Sequence, residues 1–301
     1  MNEIYVDKNN NLIDEDKWIT SVNSIENNFD NLETNKERAK RVLREKITSA
    51  IKIRAQNLDN FGVLFSGGVD SSLIAMVCKQ LGLKFTCYSI GLENSQDIEA
   101  AKKVASYYSL NLKYKILSLE EFESIIKNTV KILNSTDMVW VSVGSVLYAA
   151  GKLALNDKAN VLFGGLGSEE IFAGYQRHEE ALKQGFEALH KECWNGMKNM
   201  WQRDLKRDFL IAKNLGLKLK TPYMDPGLIK YAMQIHPMYK LDADNKKIIL
   251  REVAEEIGLK REFAFRPKKA AQYGSNFVNG IEKLAKKNNF QLKKDYLKSL
   301  A

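Results

Sequence analysis

Two glycine-rich stretches hold the residue types most able to do chemistry. In Ser66-Gly67-Gly68-Val69-Asp70-Ser71-Ser72, two adjacent glycines sit among three hydroxyls and one carboxylate. Backbone N–H groups converge on a phosphate only where side chains do not intrude. Glycines leading into a helix N-terminus meet that need, and the helix end adds roughly half a positive charge. The Ser66, Ser71 and Ser72 hydroxyls could bind further phosphate oxygens. Asp70 would repel a phosphate unless a divalent cation lay between them, which argues for magnesium. The stretch is neither G-x-x-x-x-G-K-[ST] nor G-x-G-x-x-G, and a Ser-Gly-Gly turn capped by Asp also serves ordinary folding. The second stretch is Gly164-Gly165-Leu166-Gly167-Ser168-Glu169-Glu170. His178, His190 and Cys193 lack zinc-ligand spacing and read as ordinary helix residues, and His236 before Pro237 reads as structural. The pairs Lys246-Lys247 and Lys268-Lys269 are too short for a nucleic-acid stripe and suit phosphate or solvent.

Both glycine-rich stretches follow short apolar runs. Gly62-Val-Leu-Phe65 breaks at Ser66, after which Leu73, Ile74, Val77 and Leu81 resume a helical period: strand, tight loop, helix. The alternation continues with a strand near 85–90, a helix over 97–108, a strand near 113–117, and helices over 119–133 and 139–155. A further strand, Val161-Leu-Phe163, leads into the second stretch. Ahead of all this, Ala39, Val42, Leu43, Ile47, Ala50 and Ile51 mark an amphipathic helix. Strands alternating with helices predict an α/β fold, a parallel sheet flanked by helices. No strand candidate is evident beyond Tyr175, so residues 176–301 read as a C-terminal helical lobe on a 36–175 α/β core. Residues 1–35, polar and rich in asparagine, read as a loosely attached arm.

Composition limits the classes. The chain has 301 residues, 45% hydrophobic and 28% charged, enough apolar material for a substantial core. No apolar run approaches the roughly 18–20 residues that cross a bilayer, and the start lacks a signal-peptide pattern, so no membrane partner and a cytoplasmic location are expected. Three widely spaced cysteines, Cys78, Cys87 and Cys193, exclude a disulfide framework or a four-cysteine zinc site. Forty-six basic against 37 acidic side chains leave +9, which suits a polyanionic ligand such as a nucleotide, pyrophosphate or RNA.

The Ser66–Ser72 stretch after its strand resembles the pyrophosphate-binding loop of the PP-loop ATP pyrophosphatase superfamily. Val161-Leu-Phe-Gly-Gly-Leu-Gly-Ser-Glu-Glu-Ile-Phe-Ala-Gly-Tyr175 is similar to the S-G-x-G-x-D-E-x-F-x-G-Y segment of the asparagine synthetase synthetase domain. Thr221-Pro-Tyr-Met-Asp225 resembles that family's P-F-L-D segment, and Lys247-Ile-Ile-Leu-Arg-Glu252 its K-x-x-L-R-E helix. Order and spacing match over about residues 39–276. Gly174-Tyr-Gln-Arg-His178 and the stretch from Arg266 to Gly274 look closest to asparagine-synthetase-domain-containing proteins and archaeal relatives.

The resemblance implies an ATP- and Mg2+-dependent ligase that activates a small-molecule carboxylate as an acyl-adenylate, releases pyrophosphate, and amidates with ammonia or an amine. It implies that Ser66, Gly67, Gly68, Asp70, Ser71 and Ser72 cradle pyrophosphate and that Ile90 meets adenine. Gly164 and Gly165 would line the AMP side, Asp70 and Glu169 would hold magnesium, and Lys247 would neutralise the α-phosphate. Asp97 matches a family acid and equally suits a helix cap. Two departures stand out. Glu169 replaces an aspartate, and Leu166 replaces a glutamate implicated in catalysis; leucine carries no proton, which makes Glu170 a candidate acid or implies a different substrate. The family's glutaminase domain is not expected, leaving a separate glutaminase subunit as a potential partner. The alternatives are a PP-loop enzyme adenylating tRNA and a non-catalytic nucleotide-binding subunit.

Overall fold

The computed structural model describes residues 3–28, 31–267 and 270–301, so the Lys268-Lys269 pair lies outside the described residues. Helix α1 (Glu15–Asn27) is followed by α2 (Lys36–Ala55), whose Ala39, Leu43, Ile47, Ala50 and Ile51 are buried as their spacing predicts. The Asn35 side chain accepts from Arg38 N and starts α2. Then come β1 (Phe61–Leu64), α3 (Val69–Gln80), β2 (Phe85–Gly91), α4 (Gln96–Tyr107), β3 (Leu112–Ile116), α5 (Leu119–Leu133) and α6 (Met138–Asn156). Ser95, Ser118 and Asp137 cap α4, α5 and α6, which is why these helices start where the sequence places them. Next are β4 (Val161–Phe163), α7 (Ser168–Ile171), α8 (Gln176–Leu182) and α9 (Phe186–Met200), and a π-helical turn over Trp201–Leu205 that runs into α10 (Lys206–Leu215). After β5 (Lys218–Lys220) follow α11 (Pro226–Gln234), α12 (Ile248–Glu256), α13 (Arg261–Ala264), α14 (Ala271–Gly274), α15 (Phe277–Lys287) and α16 (Lys293–Lys298).

The five strands form one parallel sheet in the order β3-β2-β1-β4-β5. Helices α2, α3 and α12 pack together, and α6 packs with β2, α5 and α10. The order reverses between β1 and β4, the kind of point at which open α/β sheets open a crevice beyond their strand ends.

Three expectations need correction. The first 35 residues are not a loose arm: Tyr5, Trp18 and Val22 have no exposed surface. Trp18 Nε1 donates to Met197 O at 3.0 Å, and buried Arg54 binds Glu3 at 2.8 Å and Asp225 at 3.0 Å. A few large side chains suffice for docking because the remainder of their pocket comes from distant segments, which composition cannot register. Second, β5 lies past Tyr175 and completes the sheet. Two of its three residues are lysines, and backbone bonds define it: Lys218 N to Asn160 O at 2.8 Å and Gly164 N to Lys220 O at 2.9 Å. Third, α6 is long and apolar enough, by length and composition alone, to cross a bilayer. Just over half of its apolar window is buried, as expected of a helix laid on a sheet.

Candidate active site

The Ser66–Ser72 loop turns sharply from β1 into α3. Gly67 has φ +66°, and a Cβ there would lie 2.6 Å from the Ala100 carbonyl carbon and 2.7 Å from Ala101 N, so glycine alone fits the turn. Gly68 occupies the N-cap of α3, which aims that helix's first N–H groups toward the loop. Ser71 Oγ donates to Gly68 O at 3.2 Å and bonds Ser66 N at 3.3 Å. Ser72 is fully buried, and its hydroxyl has no partner among the described residues.

Asp70, Ser168, Glu169 and Lys247 meet at the edge of this loop. Lys247 Nζ donates to Asp70 Oδ1 at 2.8 Å and Ser168 Oγ at 3.1 Å, and pairs with Glu169 Oε1 at 2.8 Å. Only 3% of Lys247 is exposed. It sits at the N-cap of α12 with φ +57°, a left-handed conformation costing a side-chain-bearing residue about 1 kcal/mol. That strain at a buried charge cluster marks a residue held for its side chain. Tyr223 OH donates to Asp70 O at 3.0 Å and anchors the acid from behind.

Gly174 makes room for the cluster. A Cβ there would overlap Glu169 Oε2 and Lys247 Cε and stand 2.8 Å from Glu169 Cδ. Beside the cluster lies a cavity of about 380 Å³ at the strand ends where the order reverses. Of the expected residues, Ser66, Asp70, Ser71, Ile90, Gly164, Gly165 and Glu169 line it. Gly67 and Gly68 shape the loop, Ser72 is buried behind it in the first turn of α3, and Lys247 reaches the cavity's edge through Asp70 and Glu169.

No group of three or more Cys, His, Asp or Glu side chains suited to a metal occurs among the described residues. Asp70 and Glu169 nevertheless converge on a single ammonium, and two carboxylates with open phosphate and water positions are what Mg2+ ordinarily uses. The residues present therefore fit magnesium brought in with a nucleotide.

Glu170 is not where a substrate-contacting acid would stand. It is fully buried, does not line the cavity, and accepts from Arg203 Nη2. Burial raises its carboxyl above the usual range, while Arg203 pulls it back. Asp97 is not the α4 cap, a role Ser95 fills; it lines the cavity and pairs with Arg266 at 3.5 Å. His178 Nδ1 accepts from Tyr175 N at 3.0 Å, and His190 Nε2 accepts from Trp194 Nε1 at 3.0 Å.

The sequence model of the asparagine synthase family matches residues 42–188 and 179–294. The chain belongs to the asparagine synthase family. Among its relatives, "Putative asparagine synthetase [glutamine-hydrolyzing] 1" of Methanocaldococcus jannaschii is 33% identical over 86% of this chain and 53% of its own length. The asparagine synthetase [glutamine-hydrolyzing] of Rattus norvegicus is 29% identical over 87% of this chain and 46% of its own. The chain thus spans about half the length of these relatives. A solved NMN synthetase from Francisella tularensis aligns over 82% of this chain and 93% of its own, at 14% identity and TM-score 0.35.

Sequence reasoning about this family member missed one wall of the cavity. Tyr175, Arg203, Asp204, Arg207 and Asp208 line it from the π-helical turn, α10 and the end of the second glycine-rich stretch. Arg207 Nη1 reaches Asp204 Oδ1 at 3.2 Å, and its Nε reaches Asp208 Oδ1 at 2.7 Å. The available signal was the run Arg203-Asp204-Leu205-Lys206-Arg207-Asp208, whose like residues recur four apart and so share a helix face.

Proposed function

We propose that this chain is an ATP-dependent ligase that activates a carboxylate as its acyl-adenylate and then forms an amide. The observation that carries the reading is the convergence of Asp70, Ser168 and Glu169 on buried Lys247 at the edge of the Ser66–Ser72 loop. A fixed buried cation beside a glycine turn is suited to charge developing on a phosphate.

An acceptor carboxylate oxygen attacks the α-phosphorus. The bond to the bridging oxygen breaks, and pyrophosphate leaves with the electron pair. Loop N–H groups and the Ser66 and Ser71 hydroxyls hold the departing pyrophosphate, Ser72 is buried behind them with its N–H on Gly68 O, and Lys247 balances charge at the α-phosphate. Ile90, at the end of β2, offers adenine an apolar contact, and Gly164 and Gly165 leave room for the AMP side. Magnesium, when bound, would be held by Asp70 and Glu169 and would neutralise phosphate charge. An amine then attacks the acyl carbon, loses a proton, and displaces AMP. The protein's contribution is position and electrostatics. Glu170 acts through Arg203 as a positioning residue. Ammonia, free or from a separate glutaminase subunit, is the proposed nitrogen source. Three buried free thiols suit a cytoplasmic setting.

Product analysis tests this. With Mg·ATP, a carboxylate and ammonium, AMP and pyrophosphate are expected, and D70N and K247M each lower their formation at least ~1000-fold. ADP and phosphate as products, or full activity in both variants, would overturn the reading.

A further inference from the structure

We propose that Arg266 is a positioning residue for the Ser66–Ser72 loop: by holding the Ser66 carbonyl oxygen it locks the Ser66–Gly67 peptide with its N–H, and not its oxygen, turned to a bound phosphate. The inference rests on the phosphate-loop part of the reading above and names the group that sets the loop's polarity.

A planar trans peptide points its C=O and its N–H in opposite directions, so whatever grips the Ser66 oxygen also aims the Gly67 N–H. Arg266 Nη2 donates to Ser66 O at 3.2 Å, from 200 residues along the chain. The Gly67 N–H has no partner among the described residues. The loop's own hydroxyls pin the peptides on either side. Ser71 Oγ accepts from Ser66 N at 3.3 Å, and Ser66 Oγ accepts from Gly68 N at 3.4 Å. The peptide between them is held from outside. Gly67, at φ +66°, takes either sign of φ readily, so without Arg266 this peptide would turn over at little cost. Turned over, it would put a carbonyl oxygen where an anion needs a donor.

Arg266 is itself seated from two sides. Arg251 of α12, 9% exposed, donates from Nη1 to Arg266 O at 3.3 Å and to Ala264 O, and from Nε to Lys246 O at 2.7 Å. One guanidinium thus fixes both the backbone of Arg266 and the peptide that leads into Lys247. On the other side, Asp97 in the first turn of α4 lies with Oδ1 3.5 Å from Arg266 Nη2. A Cβ on Gly274 would overlap the Asp97 carboxylate, and Ser95 Oγ donates to Gly274 O at 3.0 Å, holding that glycine in place. The nitrogen that meets Asp97 is the one that meets Ser66 O, and it stands nearer the carbonyl. An arginine serving the ion pair alone has no need of the carbonyl.

Equilibrium dialysis of Mg·ATP and of AMP separates this role from a structural one, because AMP carries neither of the phosphates the loop would hold. R266M, which keeps the aliphatic stem, is expected to weaken Mg·ATP binding at least ~10-fold, the loss of one hydrogen bond to a charged group, and AMP binding less than ~2-fold. R266K keeps a donor and recovers most of the loss. The ratio of wild type to R266M should persist at about 1 M ionic strength, where the Debye length is ~3 Å, since a directed N–H does not act through the field of a distant charge. Unchanged Mg·ATP affinity in R266M, equal losses for Mg·ATP and AMP, a ratio that collapses in salt, or R266K no better than R266M each overturns the proposal. Failure of the wild-type chain to bind Mg·ATP overturns the phosphate-loop reading beneath it. ADP and phosphate as products, with the binding pattern intact, overturn the ligase reading alone.

Discussion

Gly174→Ala should disable the site while barely disturbing the fold. The new Cβ would stand 2.8 Å from Glu169 Cδ and overlap Oε2 and Lys247 Cε. Carbon pairs rest near 3.5 Å, so Glu169 Cδ must retreat by at least ~0.7 Å and its overlapping Oε2 by more. Both obstructing groups are ends of flexible side chains, so the clash is relieved by swinging them aside. The stability cost then stays near ~1 kcal/mol, the low end for overpacking. Function has no such escape, because the 2.8 Å contacts joining Lys247 to Glu169 and Asp70 are the very ones displaced. A shift approaching 1 Å in a positioned catalytic group costs on the order of 100-fold in rate. Pyrophosphate release under saturating substrates, beside urea denaturation, gives both quantities. Gly185→Ala is the control: its φ of +107° makes alanine strained, but nothing lies within 4 Å, so stability falls by about 1–2 kcal/mol with activity intact. Wild-type turnover in G174A would refute the placement of Glu169 and Lys247.

Other expectations are simpler to check. Trp18→Ala should cost about 3–5 kcal/mol in urea denaturation, since the ring is fully buried and its Nε1 bonds Met197 O at 3.0 Å; a loss under 1 kcal/mol would restore the loose-arm reading. His178 ties stability to pH. Burial, then neighbouring Arg177 and Lys240, push it down to about 3. The unfolded chain takes up a proton near pH 6.5 that the folded protein refuses. The neutral-histidine contribution is therefore complete above pH 6.5 and is lost as pH falls toward 3. Urea midpoints at pH 7.5 and 5 should differ more in wild type than in H178N, and equal differences would contradict the assignment. In Leu166→Glu, a carboxylate is added to the cavity lining and should raise the KM of the activated carboxylate in pyrophosphate release; an unchanged KM would place the acceptor elsewhere.

Legibility in the sequence followed how local each signal was. Strands β1 to β4 and helices α2 to α6 were readable because apolar period and capping residues such as Ser95, Ser118 and Asp137 act within a few residues of themselves. The Ser66–Ser72 loop was readable for the same reason: its glycines serve a turn that any neighbouring strand and helix would need. Strand β5 was not, because Lys218 and Lys220 carry no β signature, and pairing with β4 alone defines them. Trp18 was misread because one aromatic in a polar segment looks solvated until its partner Met197 arrives from 179 residues away.

What the sequence determined by itself was the succession of β1 to β4 and α2 to α6, the phosphate-type turn, and a resemblance resting on motifs in the right succession. Only the tertiary structure decided what touches what. It brought Lys247 onto Asp70 across 177 residues, put Glu170 behind Arg203 instead of in the cavity, and turned Gly174 into space reserved for two side chains. The physical reason is range: backbone preference and hydrophobic period act over a few residues, whereas ion pairing and steric fit act over a few ångströms whatever the separation along the chain.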